Sequence, residues 1–430
     1  MRALKWLVVT STPTDASIDL DRAQRHTLRV LMLSQVLGGV GLAAGATVGA
    51  LLAYRLTGRT LLAGLGGTFQ TLGSAVLALP IAAIAQRGGR RPSLTTAYAL
   101  AALGAILIVL SAALKSFPVF LVGSGLLGAA TAANNAARYA ATDLARWERR
   151  GRDLSLVVWV TTLGSVLGPN LAGPAKPLAQ FLHIDPLVGP FVISAVVLAG
   201  GAITIRLGLI PDPLLLARAR ADAEREPSGG ALGRGWRAVS SQPRAVGGVT
   251  VMALGHLVMV AVMVMTPLHL TAGHASLEVV GLVISGHILG MFAFAPLMGM
   301  AVDRAGAPVV ALAGGVTQAA AAILAGLSGE GFSIGLALAL FLLGLGWSAT
   351  LVSGSTILVG AVSLGDRAPS QGLGDMVMGL TAAAGGVAAG IVVDQASFAW
   401  LGGLALVAAM VIIATALMLR RAGKPAALVD

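Results

Sequence analysis

Hydrophobic stretches of about twenty residues recur along nearly the whole chain of 430 residues, and no other feature constrains the fold as strongly. The hydrocarbon core of a bilayer is about 30 Å thick, so a helix that crosses it needs about 20 apolar residues. Only 11% of the residues are charged, and the mean hydropathy is +0.87. Because the charges cluster between the apolar stretches, the sequence predicts an all-α integral membrane protein.

Twelve spans are predicted, six on each side of a polar segment. That segment, residues 211–243, combines Gly, Pro and charged residues, which is typical of a linker. The spans are expected near residues 30–54, 60–85, 93–114, 118–141, 154–175, 187–209, 245–267, 277–301, 308–327, 332–356, 370–393 and 398–419. The predicted domains are an N-terminal tail at 1–28, a six-helix bundle at 29–210, the linker at 211–243, a second six-helix bundle at 244–420 and a C-terminal tail at 421–430.

The positive charges indicate which ends of the spans face the cytoplasm. If both termini are cytoplasmic, only four of the 29 Lys and Arg residues fall in outer loops. These four are Arg55, Arg59, Lys115 and Lys176. Cytoplasmic loops of membrane proteins carry such an excess of Lys and Arg. The net charge of +11 is therefore explained by the orientation of the spans in the cell membrane. Nucleic acid is not expected as a partner.

The residue inventory argues against several function classes. The chain has no Cys, which excludes disulfides, thiolate metal sites and Cys nucleophiles. It has no Gly-x-Ser-x-Gly elbow, His-Glu-x-x-His site or phosphate-binding Gly-Lys-Ser/Thr loop. The linker is too short and too charged to hold a soluble sensor module. No catalytic residue and no cofactor are therefore predicted, and a membrane-embedded enzyme or sensor is the less favoured alternative.

Two loops repeat one pattern at the same place in each half of the chain. Residues 86–91 read Gln-Arg-Gly-Gly-Arg-Arg after the second span, and residues 303–306 read Asp-Arg-Ala-Gly after the eighth. Duplicated halves around a central cavity are a common plan of secondary transporters. The repeat therefore predicts two pseudosymmetric bundles.

These loops resemble the cytoplasmic signature of the major facilitator superfamily, Gly-x-x-x-Asp-Arg-x-Gly-Arg-Arg, and the resemblance spans about residues 29–420. The matching residues are Arg87, Gly89, Arg90 and Arg91 in the first half, and Gly299, Asp303, Arg304 and Gly306 in the second. The first half has Ala82 in place of Gly and Gln86 in place of Asp. In this family the acid tethers the loop to a helix N-terminus in the other half, where a negative charge is favoured. The resemblance implies a gating latch at Asp303, close to Asp153–Leu154, and a first-half latch that lacks its acid.

The fifth span carries a second pattern found in this family. Residues 164–173 read Gly-Ser-Val-Leu-Gly-Pro-Asn-Leu-Ala-Gly, which is similar to the antiporter motif Gly-x-x-x-Gly-Pro-x-x-Gly-Gly. Pro169 removes a backbone hydrogen bond and kinks a helix. We expect Gly164, Gly168 and Gly173 to leave a flat face on which the opposite half can rock. The motif favours export over uptake, and the alternative is a kinked, tightly packed helix with no bearing on direction.

Polar and ionisable residues inside the spans are the candidates for binding substrate and protons, because such residues are costly in lipid. The candidates are Asn134, Arg138, Asn170, His256, His287, Gln371 and Asp375. Asp375 lies about five residues into the eleventh span and is the predicted proton site, with help from His256 or His287.

Each candidate also has a purely structural explanation. Arg138 could snorkel towards the cytoplasm beside Asp143. Asp375 could cap its own helix or pair with Arg138. Each His could be packed and hydrogen-bonded in the interior. A His/Glu group near the seventh and eighth spans has only loop spacing in its favour, so no metal site is predicted.

The leading hypothesis is a monomeric, proton-coupled exporter of small amphipathic organic compounds that works by alternating access. Its expected partners are the small-molecule substrate, protons and the lipid bilayer. Uptake or facilitated transport of a small nutrient or metabolite is the alternative within the same fold.

The predicted topology can be tested by cysteine labelling, because the chain offers a Cys-free background. The variant Gly230→Cys places the reactive group in the linker, which we expect to be cytoplasmic. An impermeant maleimide should leave this variant unlabelled in intact cells and should label it in inverted vesicles. Labelling from outside intact cells would contradict the topology.

Overall fold

The computed structural model describes residues 20–59, 62, 65–170, 172–220, 230–275 and 277–422. These ranges hold sixteen α-helices and no β-strand. The outer parts of both predicted tails and the middle of the predicted linker lie outside the described residues.

The first half consists of α1 (Leu20–Thr57), α2 (Leu65–Gly88), α3 (Arg90–Ala113), α4 (Phe117–Ala140), α5 (Arg150–Asn170), α6 (Ala172–Phe181) and α7 (Gly189–Gly208). The linker contributes α8 (Pro213–Arg220) and α9 (Ala231–Ser240). The second half consists of α10 (Pro243–Ala272), α11 (Leu277–Phe292), α12 (Ala295–Ala305), α13 (Ala307–Gly326), α14 (Ile334–Ala361), α15 (Arg367–Gln395) and α16 (Phe398–Arg421).

These helices form the predicted twelve-span membrane fold. Eleven segments of the described chain are long and apolar enough to cross a bilayer. The pair α5 and α6 supplies the twelfth segment. The pair α11 and α12 forms one segment that is interrupted just before Pro296, where a proline is tolerated in the first helical turn.

Three predicted boundaries differ from the structure. The first helix already begins at Leu20, so the predicted tail at 1–28 extends too far. Asp21 lies in the first turn of α1, where the helix dipole favours an acid. The predicted linker contains the two helices α8 and α9. The eleventh span begins at Arg367, three residues earlier than predicted, which moves Asp375 deeper along its helix.

Helix spacing is the same in the two halves. The starts of α3, α4 and α5 at residues 90, 117 and 150 are matched by those of α13, α14 and α15 at residues 307, 334 and 367. The intervals between successive starts are therefore identical, although the side chains differ. The repeat that two short loops indicated thus extends through three consecutive helices, as expected for pseudosymmetric bundles.

Each half has its own apolar core. The core of the first half is built from buried residues between Val30 and Leu209. The core of the second half also takes in Leu154 and Val158 from α5. The helix α5 therefore packs against both halves at once, and it positions part of the seam described below.

The start of α1 and the end of α16 lie at one end of the bundle. Asp21 in the first turn of α1 binds Arg146 in the loop after α4, at 2.6 Å. Leu419 near the end of α16 lies against Gly247 at the start of α10. We call this end, which carries residues 85–91, 141–153, 209–220, 230–244, 302–308 and 362–368, the linker face.

Close backbone contact between α2 and α4 gives a testable consequence for stability. A Cβ at Gly73 would overlap the backbone carbonyl of Gly125, which cannot move aside as a side-chain tip can. We expect Gly73→Ala to lower the stability of the purified protein by about 1–3 kcal/mol, the usual cost of overpacking. Melting in detergent measures the effect.

The matched control is Gly67→Ala on the same helix, where an added Cβ meets nothing within 4 Å. This substitution should be neutral or stabilising by up to about 1 kcal/mol, because Ala favours helix more than Gly does. Equal melting temperatures for the two variants would contradict the close contact.

Candidate functional site

The two halves meet along α2 and α15 and along α5 and α12. On the first seam, Gly372 and Gly379 of α15 lie against Ala82 and Ala75 of α2. Small residues allow two helices to approach closely. The apolar seam is flanked by polar contacts, and these bring together several of the predicted site residues.

The two repeated loops share an unusual backbone conformation. Gly89 has φ 89° and Gly306 has φ 88°, a region that L side chains rarely adopt. Each glycine directly precedes a helix, α3 in the first half and α13 in the second. The conformation explains why both loops carry Gly at this place, and it starts the next helix in a fixed direction.

Asp303 caps the start of α5 across the seam. Its carboxylate accepts hydrogen bonds from the backbone N–H groups of Gly151 and Arg152, both at 2.8 Å. A helix N-terminus attracts an anion through its unpaired N–H groups and its dipole. The contact lies one to two residues before Asp153–Leu154, where the sequence predicted it.

Two further residues of the second signature differ in burial: one packs against α5 and the other is exposed. Gly299 lies directly on α5, where a Cβ would overlap the hydroxyl of Ser155. Arg304 is exposed on the linker face. The approach of α12 to α5 therefore depends on Gly299, whereas Arg304 contributes positive charge to the surface.

Arg90 joins the first half to the second. Its guanidinium donates to both oxygens of Asp143 at 2.8 and 3.2 Å, and to the side-chain oxygen of Gln371 at 2.7 Å. Arg90 is 2% exposed, so the pair is buried. The interpretation that Asp143 accompanies Arg138 is wrong, because Arg90 occupies both carboxylate oxygens.

Arg91 and Arg87 lie outside this buried contact. The backbone N–H of Arg91 donates to Asp212 at 2.7 Å, and its side chain donates to the carbonyl of Arg206 at 2.8 Å. Asp212 also accepts from the backbone of Leu214 at 3.0 Å, so one linker carboxylate caps both α3 and α8. Arg87 is exposed. The first-half loop thus takes its acid from the linker.

Arg138 and Asp375 form a buried ion pair between the halves. The Nη2 atom of Arg138 lies 2.5 Å from Oδ1 of Asp375, and the two side chains are 2% and 6% exposed. Arg138 also donates to Asn135 at 2.6 Å and to the hydroxyl of Tyr139 at 3.2 Å. The snorkelling interpretation of Arg138 is therefore wrong, and the pairing that the sequence left open for Asp375 is present.

Asp375 lies one helical turn beyond Gln371 on α15. The helix begins at Arg367, so at a rise of 1.5 Å per residue Asp375 lies about 12 Å from the helix start. The two side chains face Arg90 and Arg138 respectively. One face of α15 thus contacts two arginines of the first half.

Asn134, His256 and His287 bind partners within their own half. The hydroxyl of Tyr98 donates to Asn134 at 2.8 Å, which ties α3 to α4. The indole N–H of Trp347 donates to Nδ1 of His256 at 2.7 Å, so this nitrogen carries no proton. His287 is fully buried, with Nδ1 at 2.7 Å from the carbonyl of Leu340. Neither His hydrogen-bonds Asp375, so a contribution of either His to proton binding at Asp375 stays a prediction.

The antiporter-like motif on α5 packs inside its own half where it is described. Gly164 lies against Gly39 of α1, with a Cβ on Gly39 only 3.1 Å from the Cα of Gly164. The expectation that this glycine faces the opposite half is therefore wrong. The surroundings of Gly168, Pro169, Asn170 and Gly173 lie outside the described residues, so their roles stay predictions.

Of the His/Glu group near α10 and α11, the structure describes the side chains of His269 and His274. The ring of His269 stacks on Phe398 at 4.1 Å between centroids, and its Nε2 lies 2.9 Å from the carbonyl of Gly329. His274 is exposed, and the side chain of Glu278 lies outside the described residues. Across the described part of the chain, no three His, Asp or Glu side chains are arranged to hold a metal ion.

The capping contacts of Asp212 and the burial of Arg367 were not predicted. Asp212 did carry a signal, since it directly precedes Pro213 and a capping residue followed by proline is typical of a helix start. Arg367 was read only as a basic residue of a cytoplasmic loop, and its burial follows from the packing of the halves.

Comparisons with known proteins identify the family. The model of the Major Facilitator Superfamily matches residues 31–275 and 269–429. The chain is 37% identical over 374 residues to the uncharacterized MFS-type transporter YdeG of Bacillus subtilis (strain 168), with 87% of each chain covered. It is 27% identical over 414 residues to the riboflavin transporter RfnT of Brucella anthropi, with 94% of this chain and 98% of the relative covered.

The fold is also found among solved structures. The fucose:proton symporter FucP of E. coli superposes with a TM-score of 0.71 over 91% of this chain and 98% of that one, at 16% identity. At this identity the likeness concerns the fold alone. With a family model that spans the described chain, a relative of clear similarity and the twelve-span architecture, the chain belongs to the major facilitator superfamily of membrane transporters.

Proposed function

We propose that the protein is a proton-coupled secondary transporter that exports small amphipathic organic compounds across the cell membrane by alternating access. The observation that carries this proposal is the buried ion pair between Arg138 and Asp375, one residue from each half. Opening of the linker face requires the halves to separate there, and the ion pair has to break when they do.

Protonation of Asp375 couples this opening to a proton. Breaking a buried ion pair is costly when it leaves an uncompensated charge in a low-dielectric interior. A proton on Asp375 removes that charge when Arg138 moves away. The proton therefore binds more favourably in the open arrangement, and by linkage it shifts the protein towards that arrangement.

The linker face is proposed to be the cytoplasmic face. It carries most of the basic residues, which agrees with the positive-inside bias of membrane proteins. With both termini on that side, the described arrangement is closed towards the cytoplasm. The latch from Asp303 to the start of α5 and the contact from Arg90 to Gln371 stabilise this closed arrangement.

An aromatic cluster in the second half supports a small organic substrate. Trp347 stands edge-on to Phe292 at 5.5 Å between ring centroids, and it donates to His256. Met259 and Met263 belong to the same packed region, and such side chains adapt to ligands of different shape. We propose that planar or amphipathic compounds bind beside this cluster.

Export rests on the motif at residues 164–173, and uptake is the second candidate. Similarity over nearly the full length to a riboflavin transporter favours a metabolite as substrate. Transport into inverted vesicles with an imposed proton gradient separates the two directions. Riboflavin and a panel of amphipathic dyes serve as probes. Accumulation of a probe inside the inverted vesicles, against its own concentration gradient, supports export.

The proton role of Asp375 predicts a specific defect. Asp375→Asn should abolish accumulation driven by a proton gradient, because the amide cannot take up the proton. Exchange of substrate at equal concentrations on both sides should persist. Asp394→Asn, an exposed acid on the same helix, is the matched control and should behave like the parent protein. Concentrative transport by Asp375→Asn would reject this residue as the coupling site.

The latch role of Asp303 predicts a shift in the gate. Asp303→Asn removes the charge that favours the N-terminus of α5, an effect of about 1 kcal/mol. We expect the labelling of a cysteine introduced at the seam, measured from the linker face, to rise about fivefold. Transport should fall while the protein level is unchanged. The control is Asp366→Asn, an acid of the same face that binds Arg234. Unchanged accessibility in Asp303→Asn would contradict the latch.

A further inference from the structure

The starts of α5 and α15 correspond in the repeat but differ in their caps. Arg150 and Arg367 begin the two helices at equivalent positions. At α5, the carboxylate of Asp303 accepts two backbone N–H groups. The equivalent loop residue of the first half is Gln86. No carboxylate therefore comes to the start of α15 from the place that supplies one to α5.

Three buried side chains at the start of α15 hold atoms without hydrogen-bond partners. These atoms are Nε of Arg367, Oγ of Ser370 and Nε2 of Gln371. The residues are 9%, 0% and 2% exposed. Positions i, i+3 and i+4 of a helix lie on one face, so the three donors share one side of the helix N-terminus. The N-terminal dipole adds to their attraction for a negative charge.

The charges around this helix start are mainly positive. The guanidinium groups of Arg90 and Arg150 act electrostatically on Arg367, as does the carboxylate of Asp143. Asp143 already binds Arg90 through both of its oxygens. The carboxylate that acts on Arg367 is therefore already engaged by Arg90, in a region that the closed seam removes from water.

The nearest acids of α15 bind other partners. Asp366 directly precedes Arg367, but its Oδ1 accepts hydrogen bonds from Arg234 at 2.8 and 3.2 Å. Asp375 pairs with Arg138. Among the residues that the structure describes, none forms a salt bridge with Arg367. A buried charge of this kind is costly unless it is paired.

We infer that the start of α15 binds a small inorganic anion of chloride size, held by Arg367, Ser370 and Gln371. Side-chain donors hold this anion, whereas backbone N–H groups hold Asp303 at α5, because Pro369 stands at the position equivalent to Arg152 and has no N–H. Burial of all three side chains favours a small monovalent anion over sulfate or phosphate. Because Gln371 also contacts Arg90 across the seam, the bound anion stabilises the closed linker face. Binding of this anion requires neither substrate nor a proton gradient.

Thermal melting of the purified full-length protein in detergent tests this site. Chloride replaces gluconate stepwise at constant ionic strength, so general screening is unchanged. A ligand that binds only the folded state raises the melting temperature, and we expect a saturable rise of about 2 °C or more. Sulfate and phosphate at the same ionic strength test the size of the site.

Two variants make the assignment specific. Arg367→Gln removes the main charge of the site and should abolish the chloride-dependent rise. Gln86→Asp places a carboxylate where the second half has Asp303, and should keep a high melting temperature without chloride. Arg421→Gln removes an exposed arginine at the end of α16 and is the control. It should respond to chloride like the parent protein.

The outcomes decide the inference. A parent protein that melts at the same temperature in gluconate and chloride overturns the site, as does a full chloride response in Arg367→Gln. Stabilisation by sulfate or phosphate but not by chloride overturns the assigned size. If Arg367→Gln does not fold, Gln86→Asp decides alone, and a chloride response equal to that of the parent overturns the inference. Loss of transport does not enter these readouts, so the proposed transport function can fail independently.

Discussion

The buried contact between Arg138 and Asp375 constrains the rest of the seam, because two charges removed from water stay together only while the halves do. Polar groups around the ion pair hydrogen-bond other donors of Arg138 or add a second contact across the seam. Asn135 and Tyr139 satisfy further donors of the guanidinium, and Arg90 reaches Gln371 one turn away on α15. The seam therefore combines close contacts of small residues with charge-assisted contacts whose strength depends on exclusion of water. The charge-assisted contacts weaken together when water enters, as the proposed alternating access requires.

The packing described inside each half relies mainly on close helix contacts and apolar side chains. Glycines bring α2 onto α4 and α1 onto α5 by direct backbone contact, and such contacts hold regardless of charge. Each half also has an apolar core, and α5 contributes to the core of the other half as well. The division predicts where motion occurs in the proposed cycle: each half moves as a unit, and the polar seam at the linker face changes. Coupling to a proton then needs only one titratable group on that seam, and Asp375 lies there.

The two halves of the internal repeat agree in backbone spacing but differ in the positions of their charged residues. Gly89 and Gly306 adopt the same left-handed conformation at equivalent positions, and three helices that follow begin at matching intervals. The capping acids do not match, because Asp303 caps α5 from the loop while the first half uses Asp212 of the linker to cap α3. The start of α15 is left with donors in excess. Pseudosymmetric folds can thus keep their geometry while the two gates differ in what stabilises them.

The sequence alone determined the fold class, the twelve spans and the family, because hydrophobic length and the glycine-containing loops are local properties. It also placed Asp303 within two residues of its contact on α5, since the repeat fixes equivalent positions. The tertiary structure alone decided which charges meet. Asp143 is near Arg138 in sequence but binds Arg90, and Arg138 binds Asp375 from the other half. Which charges pair depends on how the two bundles pack together. The surfaces that meet are formed by residues far apart in the chain. For the same reason Gly164 faces α1 of its own half, and the burial of Arg367 could not be read from its place in a basic loop.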